Sequence, residues 1–474
     1  MHPNHGLDST DPTGVVYPHQ RNDAADGLPA APAFASLNRT AGRGIPSGRD
    51  PARTEDAMAD QRSYDDREEE LLHDWNTVGE TAKERPARVE LDDETLRDGL
   101  QSPSVHQPNL GQKLEILHAM APLGIRFADI GYPGVGSRML DEVVGLAREI
   151  ADAGLDIEAN CAARSHRADI LPIAEAQQRA GVPIEASIFL GSSPIRQFVE
   201  GWDLQFLLHT TEDAVKLARS EGLEVMFVTE DTTRARPDVL RRVYTVAIES
   251  GARRICLADT VGHATPWGVR ALVRFAREVV ADTGTEVKID YHGHRDRGLS
   301  VMNSLAALAE GADRVHGCGL GIGERSGNTP MELLLVNLKL LGWLDSDLHG
   351  LPAYCDAVSR GTQTPIPRNT PAVGRDAFET STGVHAAAVL KAMRIGHTWL
   401  ADRIYSGVPA AELGREQSIT VGPMSGQANA VAWLTKRGLE CTDERVATIL
   451  AAAKAGDHVL TEDETFALLG DEPG

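Results

Sequence analysis

From residue 87 onward, short apolar runs alternate with longer segments whose apolar positions recur every three or four residues. The first pattern predicts strands and the second predicts amphipathic helices. Eight runs read as strands, at 87–92, 125–130, 155–160, 183–190, 223–230, 253–260, 286–294 and 314–321. Helical periodicity falls between them, for example at 111–121, 140–153, 238–250 and 267–281. Strand and helix in strict alternation is the mark of a parallel sheet. Eight such units in ~255 residues match the count and size of a (β/α)8 barrel. A doubly wound sheet is the competing architecture, but it usually has fewer strands and a Gly-rich first turn, which this sequence lacks.

A barrel carries its active site at the C-terminal ends of its strands. Those ends hold Arg97 and Asp98, then Asp129, Asn160-Cys161, Ser192-Ser193, Glu230-Asp231, Asp259-Thr260 and His292-Gly293-His294. The segment after the last strand holds Glu324-Arg325-Ser326-Gly327-Asn328. Titratable and metal-competent residues therefore gather on one rim. His292 and His294 stand two apart, a spacing that turns both imidazoles to one face of a strand and suits a metal. Two histidines so spaced are often incidental; the shared rim makes this pair informative.

The flanks differ in texture. Residues 1–85 are rich in Pro, Gly, Asp and Ala and read as a largely disordered extension. The barrel is expected over 86–345, and 346–474 as a linker followed by a small, mostly helical C-terminal region. Pro365, Pro367 and Pro371 mark the linker at 361–375, helical patterns fall at 383–394, 428–437, 443–455 and 461–469, and 402–426 is turn-rich. There are no internal repeats.

Composition narrows the function classes. The chain of 474 residues is 42% hydrophobic and 24% charged, ordinary values for a soluble globular protein. A net charge of −22 argues against nucleic acid as the main partner. It leaves room for an anionic substrate in a locally basic or metal-bearing pocket. No apolar run reaches the ~18 residues of a membrane span. The five cysteines are scattered without a C-x-x-C pair, which reads as reduced thiols in a cytoplasmic protein.

Several ordered motifs resemble one family. Asp93-Glu94-Thr95-Leu96-Arg97-Asp98-Gly99-Leu100-Gln101 resembles the first signature of the DRE-TIM metallolyases. These are the α-isopropylmalate, homocitrate and citramalate synthases, with the hydroxymethylglutaryl-CoA lyases as cousins. A second block runs from His292-Gly293-His294 to Asn303-Ser304-Leu305-Ala306-Ala307, and a third from Gly321 to Pro330. Phe227 to Arg234 and Asp259-Thr260-Val261-Gly262 match further blocks in order. The resemblance implies that Asp98, His292 and His294, with Asn328, bind a divalent metal (Mg2+, Mn2+ or Zn2+). Oxygen and nitrogen ligands with open positions suit a Lewis acid that chelates a 2-oxo acid. It further implies that Arg97 stabilises charge on the keto oxygen and that Thr260 holds the carboxylate. Gln101, Asp129 and Arg295 are expected to contact substrate, and Glu230 to take a proton from the co-substrate acetyl-CoA. A structural ion pair between Arg97 and Asp129 is compatible with those roles. His385 and Tyr405 match synthase residues that reach into a partner subunit's barrel, which implies a domain-exchanged homodimer.

Some positions depart from the synthase pattern. Leu100 stands where synthases commonly have Glu and matches the lyases, Arg295 stands where they have Asn, and Arg196 where a His is usual. Extra guanidiniums near the rim would suit a further anionic group. Met226 argues against homocitrate synthesis, and Gly319-Leu320-Gly321-Ile322-Gly323 lacks the cysteine loop of the lyases, with Cys318 out of register as a buried thiol. The expected activity is thus a 2-isopropylmalate synthase-like condensation of acetyl-CoA with 3-methyl-2-oxobutanoate, a step of leucine biosynthesis. Pyruvate, oxaloacetate, 2-oxoglutarate or a phosphorus-bearing pyruvate analogue are alternative acids. A metal-dependent carbon–carbon lyase and an inert barrel are the competing classes. About 130 residues after the barrel suffice for dimerising subdomains but not for an added regulatory domain. Leucine feedback of the usual kind is therefore not expected.

Overall fold

The computed structural model describes residues 71–78 and 85–470. The expected disordered extension lies almost wholly outside them. Eight parallel strands close into a barrel in sequence order: β1 (Glu90–Asp93), β2 (Phe127–Asp129), β3 (Glu158–Arg164), β4 (Ile184–Gly191), β5 (Val225–Glu230), β6 (Arg254–Asp259), β7 (Lys288–Gly293) and β8 (Arg314–Gly317). Closure is made by β8 on β1, in a register that sets Glu90 against Arg314 and Asp93 against Gly317. This is the (β/α)8 architecture that the hydrophobic pattern predicts.

Every strand shifts at one end or both, and two depart furthest from their predicted limits, for local reasons. The run at 155–160 still belongs to the turn that ends the preceding helix, where Gly154 takes φ +62° and Ile157 N–H returns to Leu155 O. Pairing starts at Glu158, and the small residues Cys161, Ala162 and Ala163 carry β3 onward against β4. The last strand stops at Gly317 rather than 321, because Gly319–Gly321 folds into a 3-10 turn with Leu320 at φ +57°.

The outer ring follows the 3.6-residue periodicity. Helix Pro266–Thr283 starts on a Thr265 cap with Pro at its first position and buries Val269, Val273, Ala276 and Val279 on one face. Each valine so buried contributes about 1.5 kcal/mol or more. Helix Leu110–Met120 opens on a reciprocal capping box between Asn109 and Gln112. Helix Leu351–Thr362 packs against it, so the barrel's outer ring continues past residue 345. Beyond it lie a two-stranded parallel sheet (Glu379–Thr380 with Ser418–Ile419) and the helices Gly383–Arg394, Thr398–Arg403, Gln427–Lys436, Asp443–Ala455 and Glu462–Leu469. This mostly helical region holds only small apolar clusters, one around Trp433 and Phe466 and one around Val389 and Leu390. Among the described residues, no helix is long and apolar enough to cross a membrane.

Alternation along the strands separates two kinds of core. Ile289, Tyr291 and Val315 join the apolar layer under the helices. Their neighbours Asp290, Arg314 and His316 are buried in a network of ionic partners. Arg314 Nε lies 2.5 Å from Asp290 Oδ2 and its Nη2 lies 2.8 Å from Glu185 Oε1. Arg254 joins Asp290 (2.6 Å) to Glu90 (3.0 Å), and Lys288 reaches Glu90 at 2.8 Å. The barrel interior is thus filled by paired charges where branched aliphatics usually dominate.

Candidate active site

A cavity of about 200 Å³ opens where the strands end. From β1, β7 and β8 it receives Glu94, Arg97, Asp98, His292, His294 and His316. From β3 to β6, on the other side of the barrel, come Ala162, Ser187, Phe189, Met226, Val228 and Ala258. One wall is ionic and the other is mostly apolar.

The expected metal ligands converge. Asp98 Oδ2 lies 3.6 Å from His294 Nε2 and 3.9 Å from His292 Nε2. Bonds of ~2.0–2.2 Å to one ion would place such atoms ~3–3.6 Å apart, so only a small contraction is needed. Burial and the neighbouring His292 pull His294 down to about 4, which leaves its imidazole neutral, the ligating form. Asn328 is brought alongside by a bridge to His294 and donates from Nδ2 to Asp98 Oδ2 at 2.8 Å. Its Oδ1 and His294 Nδ1 are buried without a hydrogen-bond partner. A buried orphan acceptor is costly, so the Asn328 Oδ1 fits a bound cation, while His294 Nδ1 carries the proton when Nε2 ligates. A mixed oxygen and nitrogen set of this kind suits a divalent ion with open positions.

Arg97 is held by three carboxylates: Asp129 on Nε (2.6 Å), Asp98 on Nη1 (2.7 Å) and Glu94 on Nη2 (3.0 Å). Burial works against its charge, but those three anions outweigh it and keep Arg97 protonated. Asp129 does not itself line the cavity; its carboxylate is spent on Arg97 and on the Gly131 N–H. Gln101 and Thr260 do line it, and the Thr260 hydroxyl accepts from the Asp231 N–H at 2.8 Å. Glu230 stands half-buried on β5, across the barrel from β1, with Arg196 Nε 3.5 Å from Oε1. Burial raises its carboxyl above the ordinary range.

Arg295 is placed differently from its expected role. Its Nε donates to Ser326 O at 2.6 Å and its N–H to Gly327 O at 2.9 Å, so it pins the loop after β8 and is not among the lining residues. The guanidinium at the cavity besides Arg97 is that of Arg325, paired with Asp296 at 2.8 Å and donating to Thr260 O at 2.6 Å. This exchange follows from a backbone that turns left-handed at Leu320, Gly321, Gly323, Arg325 and Gly327. A Cβ on Gly327 would fall 1.9 Å from Gly321 O, so glycine is required there. Cys318 is buried just past β8, where Asn328 Nδ2 reaches its sulfur at 3.3 Å. His385 and Tyr405 stack on each other at 4.0 Å between ring centroids, and neither lines the cavity of their own chain.

Glu94, His316 and Tyr132 are among the lining residues to which the sequence assigns no role. Glu94 sits at the end of β1, and His316 bridges Glu94 and Asp290 at 3.0 Å on each ring nitrogen. Burial opposes its charge, but the two carboxylates push His316 up to about 10. Tyr132 donates its hydroxyl to Asp169, which Arg164 also grips at 2.7 Å, and turns its ring edge-on to Phe189. A signal for His316 exists in the sequence: Arg314 and His316 alternate on one face of a strand, beside Asp290 and His292 on the next.

A family model described as HMGL-like matches residues 88–356. The chain is 34% identical, over 79% of its length, to homocitrate synthase AksA of Methanopyrus kandleri, of which it covers 89%. It is also 34% identical, over 81% of its length, to the 2-isopropylmalate synthase of Heliobacterium modesticaldum, of which it covers 74%. The HMG-CoA lyase of Bacillus subtilis shares the fold, with a TM-score of 0.50 and 19% identity over 60% of this chain and 97% of that one.

Proposed function

Because the chain belongs to the HMGL-like family, we propose that it is a metal-dependent acyltransferase that condenses acetyl-CoA with a 2-oxo acid. The acid it fits best is 3-methyl-2-oxobutanoate, with 2-isopropylmalate and free CoA as products. The observation that carries this reading is one cavity with Asp98, His292 and His294 on one wall and Glu230 on the opposite one. Asp98, His292, His294 and Asn328 would hold a divalent ion, which would supply Lewis acidity toward the oxo acid. Arg97, already positive and fixed by three carboxylates, stabilises the charge that grows on the keto oxygen. Thr260 and Gln101 hold the substrate carboxylate. Glu230 removes a methyl proton from acetyl-CoA; the resulting carbanion attacks the keto carbon, and water then cleaves the thioester.

The choice of acid rests on the wall from β3 to β6. Phe189, Met226, Val228, Ala162 and Ala258 offer apolar surface to a branched side chain. The cations at the cavity are already engaged: Arg325 by Asp296, His316 by Glu94 and Asp290, Arg97 by its three carboxylates. A second substrate carboxylate would have to displace one of them. His385 and Tyr405 stack as an exposed pair apart from their own cavity, which supports their delivery into a partner's barrel in a domain-exchanged dimer.

Thiol release from acetyl-CoA, followed with a panel of 2-oxo acids, tests the reading. Highest kcat/KM is expected with 3-methyl-2-oxobutanoate; a preference for 2-oxoglutarate or pyruvate reassigns the acid, and no release with any acid sinks the condensation. Glu230 adds a pH criterion. A base must be ionised, and burial raises this carboxyl, so kcat/KM should rise with pH through a value above the 4.5 of an ordinary glutamate. Glu230→Gln should remove that limb along with ~10²–10⁴-fold of the rate. A profile still bending at the same pH in the variant assigns the limb to another group.

A further inference from the structure

Glu94 is 4% exposed, lies one residue beyond β1, and touches three functional side chains from three places in the fold. Its Oε1 accepts from Arg97 Nη2 at 3.0 Å and faces His316 Nδ1 at 3.0 Å; its Oε2 lies 2.8 Å from His292 Nδ1. The backbone is fixed as well, by Glu94 N–H on Gly317 O at 2.9 Å. His292 therefore has one ring nitrogen against Glu94 and the other toward Asp98, at 3.9 Å.

Glu94, His292 and His316 are close enough to form a second donor set for a cation. Glu94 Oε2 is buried with no formed hydrogen bond and lies 2.8 Å from His292 Nδ1, so the pair can close into one without a second ion. Both nitrogens of His316 are already against carboxylates, Glu94 on one side and Asp290 on the other. A carboxylate behind a metal-binding histidine fixes the tautomer and ring orientation, and losing it typically weakens metal affinity.

We propose that Glu94 is the positioning residue of the metal site: it holds the proton of His292 on Nδ1, aims Nε2 at the Asp98 side, and ties that ring to the Arg97 guanidinium, with His316 as its brace. This inference rests on the metal reading of Asp98, His292 and His294. The same carboxylate thus orients a ligand of the oxo acid's metal and the cation meant for its oxygen.

Metal-free protein, prepared by chelation, is titrated calorimetrically with Mn2+, Zn2+ or Mg2+ alone. Wild type is expected to bind, and Glu94→Ala to bind about 10–100-fold more weakly. Glu94→Gln keeps an acceptor for Nδ1–H but cannot serve Arg97 and His316 together, so it should fall between them. Imidazole nitrogen resonances of the metal-free protein give a second readout. The Nδ1–H signal that disappears in His292→Ala should be present in wild type and lost in Glu94→Ala. Thermal unfolding checks each variant, and Glu94→Gln decides if Glu94→Ala does not fold. Wild-type affinity in a folded Glu94→Ala or Glu94→Gln protein, with Nδ1–H unchanged, overturns the positioning role. Failure of wild type to bind any of the three ions overturns the metal reading, and this inference with it.

Discussion

Asp98→Ala and His292→Ala are each expected to lose tightly bound divalent metal and about a thousandfold in kcat/KM, the equivalent of about 4 kcal/mol of transition-state stabilisation. Asp98 is the anionic member of the set and also a leg of the Arg97 clamp. Its removal takes away a ligand and frees one arm of the guanidinium. His292 stands between Glu94 and Asp98, so its loss breaks the set and leaves Glu94 facing a gap. Metal content after dialysis, read by elemental analysis, and CoA release measured on the same samples give the two halves of the result. Full activity in either variant removes that residue from the metal site. Loss of turnover with metal retained would move the effect to Arg97.

A second large effect is expected far from the chemistry, in stability. Asp290 receives Arg254, Arg314 and His316 while itself wholly buried. Burial pulls its carboxyl upward, but these partners hold it well below the usual range, so it is an anion in the folded protein. Asp290→Ala leaves three buried cations with one carboxylate fewer, a defect that costs about 3–5 kcal/mol in comparable buried pairs. Urea unfolding followed by far-UV circular dichroism should place the barrel transition at clearly lower denaturant. Replacing Asp290, Arg254 and Arg314 together by Leu, Met and Met is expected to cost at least as much as the single change, because Glu90, Glu185 and His316 then lose partners in turn. Wild-type resistance to urea in Asp290→Ala would mean that the network contributes nothing to stability.

The barrel was legible because its two periodicities are clean. Ile289 and Tyr291 alternate with Asp290 and His292 on β7, and the helix Pro266–Thr283 repeats its valines on one face. The rim followed from the barrel: once strand ends are fixed, Asp98, His292, Glu230 and Thr260 fall together. What escaped has a common cause. Arg295 and Arg325 exchange places because the loop after β8 turns left-handed at two non-glycine residues, a choice that side-chain pattern does not reveal. Glu94 was overlooked since it lies just past its strand, where alternation no longer says which way a side chain points. Asp129 shows a related limit: its strand was found, but whether it meets the cavity or only Arg97 depends on depth in the barrel.

That left-handed loop also bears on how such an enzyme could change its diet. Gly323 and Gly327 admit no Cβ without collision, Leu320 and Arg325 hold conformations few residues accept, and Arg295 and Glu332 fasten the segment from outside, on Ser326 O and the Leu320 N–H. Random substitution there is penalised by backbone strain before selectivity is ever sampled. Phe189, Met226 and Val228 sit on regular strands, where size and shape can drift at modest cost. Natural variation toward new acids, and directed evolution in the laboratory, should accumulate on β4 and β5 while the loop stays nearly frozen.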